Sequence, residues 1–134
     1  MKSRFLAIAA VVIGISISAL PTLAHHSMAM YDTSTLVTIK GTVSKIDWMN
    51  PHVWIHLNEK AEGGRIVSRR IQIAAPGGLI KRSFDKSLLN IGDTVTAEAW
   101  LPKDPKVGDW PNGRNLILAD GRRFDVGDNW PRRD

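Results

Sequence analysis

The residues best suited to chemistry sit side by side near one end of the chain: His25 and His26, directly after Thr22-Leu23-Ala24. That small-residue segment is of the kind at which exported proteins are cut, and cleavage after Ala24 leaves a free α-amine on His25. An α-amine titrates near pH ~8 and an imidazole near ~6.5, so both give up protons cheaply around neutrality. An amine and an imidazole on one residue chelate a transition metal. Copper(II) is the first candidate, because imidazole nitrogen suits copper and copper binds tightest in the divalent series. The bland alternative is a pair of polar residues at a loose chain end.

Two further histidines, His52 and His56, flank Trp54 in Pro51–Leu57, which alternates like a strand with Val53, Ile55 and Leu57 on the apolar face. At roughly 3.3 Å of rise per residue, His52 and His56 stand about 13 Å apart, too far to share one ion. At most one of them joins the chain end. His52, following Asn50-Pro51 beside a loop, is placed better for this than His56. Met28 and Met30 are soft thioethers that favour copper(I); alternatively Met30 packs the lead-in onto the barrel together with Tyr31. Asp32 is either a carboxylate partner for an imidazole or a turn residue.

No hydrolase can be assembled. The chain has no cysteine, and hence no thiol nucleophile, thiolate metal site, lipobox or disulfide. It has no G-x-S-x-G elbow and no H-E-x-x-H helix. The expected class is a non-enzymatic binding protein.

The elements that position these residues begin after an export segment. Lys2 and Arg4 precede sixteen uncharged residues, Phe5 to Leu20, and Pro21 follows. That run is short of the roughly 20 residues of a membrane span, so residues 1–24 read as a cleaved signal peptide rather than an anchor. A periplasmic product with no stable membrane insertion is expected. The 110 of 134 residues that remain suffice for one domain. Losing two of 18 basic residues against 13 acidic ones leaves a net charge of +3, scattered in pairs such as Arg69-Arg70 and Arg122-Arg123. Such spacing describes a solvated surface rather than a nucleic-acid groove.

Residues 25–35 form a lead-in, 36–126 the domain and 127–134 a loose tail. Leu36–Trp48 alternates with Val37, Ile39 and Val43 inward. Gly41 suggests a bend, and the parity slips at Ile46. Arg65–Ala74 is a third strand, with Ser68, Arg70 and Gln72 outward, and Pro76-Gly77-Gly78 breaks the sheet. Leu79–Leu89 looks helical, with Asp85 able to cap a second turn. Thr94–Leu101 is a fourth strand, Pro102–Gly113 an exposed loop, and Asn115–Val126 a closing hairpin. Three strands, a short helix and two more strands predict an all-β domain with one short helix, a five-stranded OB-like barrel; an open β-sandwich is the alternative. The outer face of strands two and three is where such barrels commonly bind ligands. His52, Trp54, His56, Arg70 and Gln72 decorate it. Packing accounts for most of the five tryptophans, while Trp110-Pro111 and Trp130-Pro131 are available to a partner.

The runs AHHSMAMYD, KGTVSKIDWMNPHVWIHL and AAPGGLIKRSFDKSLLNIGDTV resemble a family of small exported bacterial proteins of unknown function. Its members carry A-H-H-S near the cleavage site, G-T-V before W-x-N-P-H, and a final A-D-G-R. The resemblance implies a periplasmic OB-like domain and supplies no activity. It singles out His25, His26, Ser27, Trp48, Asn50, Pro51 and His52. Where members show a tryptophan and a glutamate in strand three, this chain has Arg69 and Gln72.

Two functions follow as expectations. In the first, a metal ion, copper, is held by His25, His26 and His52. In the second, a metal-free module grips a protein or anionic partner with Trp54, Arg70 and the Trp110 loop.

Overall fold

The computed structural model describes residues 28–106 and 108–128. Six strands form a single sheet: β1 (Val37–Asp47), β2 (Val53–Lys60), β3 (Ile66–Ile73), β4 (Thr94–Trp100), β5 (Asn112–Ile117) and β6 (Arg123–Asp125). Their order is β3-β2-β1-β4-β5-β6, and β5 also returns to β3 in parallel. This closes β1–β5 into a barrel with β6 as one extra strand, the OB-like architecture expected from the order of elements. Closure excludes the open sandwich.

Alternation builds the core. Val53, Ile55 and Leu57 from β2 face Ile71 and Ile73 from β3, all essentially without solvent exposure. The parity slip in β1 has a local cause. Val43 pairs with Leu57 and Lys45 with His56, so Ser44 is an extra residue in a β-bulge. After it, Ile46 lies opposite Ile55 and turns inward. Gly41, read as the bend, is regularly paired instead with Glu59 and Val95. Its lack of a side chain serves contact: a Cβ there would stand 2.7 Å from the Asn58 carbonyl oxygen.

The helical stretch is shorter and earlier than its apolar stripe suggests. Helix α1 runs Pro76–Lys81, with the proline in the first turn where its missing N–H costs nothing. Ser83 at φ 62° ends it, and Asp85 then caps a 3-10 turn at Lys86–Leu88 by accepting from the Ser87 N–H. Leu79 and Phe84 are fully buried, and the Phe84 ring packs against Trp48 and Phe124 at 6.2 and 5.2 Å. Arg82 fastens this end: it donates to the carbonyls of Gly78 and Gly127 and to the Asp125 carboxylate, which Arg114 also reaches.

β5 starts at Asn112, three residues before the expected Asn115, because Gly113 belongs to the strand rather than to the loop. It lies where β5 closes on β3, and a Cβ would fall 2.8 Å from Ile73 Cγ2 and 3.2 Å from Ile71 Cγ2. Both isoleucines are buried and cannot withdraw. Gly113→Ala is therefore expected to destabilise the barrel by about 1–3 kcal/mol. Gly77→Ala, in α1 with nothing within 4 Å of its Cβ, should be neutral or stabilising by up to about 1 kcal/mol. Urea unfolding of the two variants checks the contrast.

Candidate binding face on β2 and β3

The β2–β3 register places Trp54 opposite Gln72 and His56 opposite Arg70. Since side chains alternate, Trp54, His56, Arg70 and Gln72 share the outer face, as the sequence predicts, and His52 immediately precedes β2. Their surroundings differ sharply.

Arg70 lies diagonally over Trp54, with its guanidinium carbon 4.3 Å from the ring centroid and 5.2 Å from that of Trp110. The two indoles meet edge to face, with centroids 5.6 Å apart and planes at 81°. Cation–π contact of this kind is worth about 0.5–2 kcal/mol and holds an otherwise mobile guanidinium in one place. Arg70 is exposed and, among the described residues, has no carboxylate partner. Among the described residues its N–H groups donate no hydrogen bond.

Each histidine has its own carboxylate. His56 Nε2 lies 3.0 Å from Asp47 Oδ2, and Lys45 Nζ approaches the same group at 2.8 Å. The Lys45 hydrogen bond, aided by His56, holds the Asp47 carboxyl below the usual carboxylate range despite some burial. His52 Nδ1 stands 2.8 Å from Asp128 Oδ2, ion-pair distance for a protonated imidazole, though out of line for a hydrogen bond. The two histidines therefore lead to separate carboxylates and do not converge.

Gln72 lies on this face but is covered, at 1% exposure. Its N–H donates to the Pro111 carbonyl, and it pairs with Asn112 at the barrel closure. Tyr31 reaches the same place from the lead-in. Its strand-like bridge to Pro102 and the Asp32 N–H bond to Leu101 tie residues 31–32 to the chain after β4. The Tyr31 phenol is 2% exposed and lies close to Trp110 and Asn112. Burial pushes its pKa above the ordinary value; the polar groups of Trp110 and Asn112 pull against that, and the nearby Asp128 carboxylate adds to the rise. Gln72 Oε1 and Asn112 Oδ1 are buried acceptors without a donor among the described residues, so the floor of the face is polar.

Tyr31, Asp47, Asn112 and Asp128 escape the sequence reading as site residues. Asp47 becomes a neighbour of His56 only through the bulge at Ser44, and Asp128 lies in what reads as a loose tail. Of that tail, Gly127 and Asp128 are described and packed, while 129–134, including Trp130, lie outside the described residues. The signal segment 1–24, His25 and His26 lie outside them too. Among the described residues there is no group of three or more His, Cys, Asp or Glu able to hold a metal ion. No helix among them is long and apolar enough to cross a membrane.

The molecule is thus an OB-like barrel bearing an aromatic–cation cluster on its outer face, a small β-barrel binding module in class. The chain belongs to the family of unknown function DUF6152, whose model matches residues 12–109. That match includes Trp54 and Arg70 and ends one residue before Trp110. No curated protein and no solved structure matches the chain.

Removing the Tyr31 hydroxyl takes a polar neighbour away from the buried groups of Trp110 and Asn112. Tyr31→Phe should cost about 1–3 kcal/mol at pH 7. Because the folded-state pKa is raised, Tyr31 lowers stability as pH climbs above the ordinary tyrosine value of ~10, where the unfolded chain ionises first. Urea unfolding at pH 7 and pH 11 should show a steeper alkaline loss for the native protein than for Tyr31→Phe.

Proposed function

We propose that the protein is an exported, non-catalytic binding module that holds a carboxylate-bearing protein partner on the outer face of β2 and β3. Export rests on the sequence of residues 1–24. The observation that carries the binding reading is the Arg70 guanidinium lying over the Trp54 ring and close to that of Trp110. Contact with the indoles holds the guanidinium without neutralising its charge, and a guanidinium edge matches a carboxylate bidentately. The indoles add apolar walls and exclude water, which strengthens the charge contact.

Copper held by His25, His26 and His52 has two of its three ligands outside the described residues. The third, His52, already faces Asp128. The anion reading has the geometry on its side.

Titration with the capped dipeptide acetyl-Glu-Glu-amide, followed by tryptophan fluorescence, tests it. Weak saturable binding is expected, lost on raising the salt to 0.5 M and absent for acetyl-Lys-Lys-amide. Arg70→Gln should weaken it at least about tenfold, the value of one charge-assisted bidentate contact. An unchanged affinity in Arg70→Gln overturns the assignment.

A further inference from the structure

β3 carries an open edge beside this cluster. Among the described residues β5 meets β3 at one register position, Gln72↔Asn112, where the Gln72 N–H donates to the Pro111 carbonyl. Two residues further on, the Ala74 N–H donates to the Val126 carbonyl. Backbone groups alternate along a strand. Ser68 and Arg70 therefore point their N–H and C=O to the same side as Gln72, away from β2. No strand pairs with β3 there among the described residues. Ile66–Arg70 leaves about 13 Å of free edge. Ile66 on it is 59% exposed.

We propose that this edge is a strand-addition site, taking an extended acidic peptide segment of a partner as an added strand next to β3. The proposal rests on the anion reading of Arg70 and adds main-chain pairing to it. An unpaired edge is a ready template for another chain, and main-chain bonds to such an edge with alternate side chains in pockets form a general mode of peptide recognition. Charge selects the occupant. Arg65, Arg69 and Arg70 line the exposed stretch; Arg69 is paired with Glu59, while Arg65 and Arg70 have no carboxylate partner among the described residues. These arginines repel basic strands and a second copy of the same edge, and they attract aspartate or glutamate at alternate positions. On the outer face such a side chain meets the guanidinium that Trp54 and Trp110 hold in place.

The test uses the purified protein and a fluorescent peptide of alternating valine and glutamate, eight residues long, read by anisotropy. Two isomers carry backbone N-methyl groups, one on every valine and one on every glutamate. Only one set of N–H groups faces β3 in an added strand. One isomer should therefore lose at least about tenfold in affinity, equivalent to a few lost hydrogen bonds, while the other keeps that of the parent. Arg70→Glu should reverse the preference toward a valine–lysine peptide. Equal affinity of the two isomers, at whatever level, overturns strand addition. So does failure of the parent peptide when acetyl-Glu-Glu-amide still binds through Arg70, an outcome that spares the anion reading. Failure of both ligands removes both. Sedimentation that shows dimers broken by a charge reversal at Arg70 assigns the edge to a second copy and overturns the peptide.

Discussion

Everything on the outer face depends on how the barrel is closed. β5 reaches β3 at Gln72 and Asn112, and the approach is tight enough that only a hydrogen atom fits at residue 113 between the strands' side chains. Apolar closure seals the inside through Ile71 and Ile73. The outside of the same joint is polar, with two buried amides and the Tyr31 phenol. A joint with so few main-chain bonds needs support. The lead-in and the stretch before β5 supply it by covering the joint with Tyr31 and Trp110.

That cover gives the face its shape. Trp110 is near the joint because β5 starts just after it, and its ring turns back onto Trp54. Arg70 then lies across both indoles. A cation in this setting is partly desolvated on one side and open on the other, so it is held still without being neutralised. His52, just before β2, and His56 within it are each matched by a carboxylate. Positive charge on the face is accordingly concentrated at Arg70.

Alternation in Val53–Leu57 and Ile71–Ile73 made the inside of the barrel readable from sequence, and with it the residues opposite. Trp54, Arg70 and Gln72 follow from parity alone. What parity does not encode is cover. Gln72 reads as exposed because nothing local reveals that Tyr31, some forty residues earlier, and Asn112, forty later, meet above it. Gly113 reads as a loop residue because glycine signals a turn far more often than a close approach of strands. Pro76-Gly77-Gly78 reads as a break, although proline at a helix start is favourable. The His56–Asp47 pair required the bulge at Ser44, which shows in sequence only as a slip at Ile46 and is easily assigned to the nearby glycine instead.

Arg82 has a consequence for the far end of the chain. It binds the carbonyls of Gly78 and Gly127 together with Asp125, and so staples the start of the helical segment to the exit of β6. The next residue is Asp128, which faces His52 across the molecule. The environment of a histidine at the entry to the second strand is thus governed by an anchor on a different element, with no bond between the two. A chain shortened after Val126 would keep every strand of the barrel and still present His52 to a changed neighbourhood.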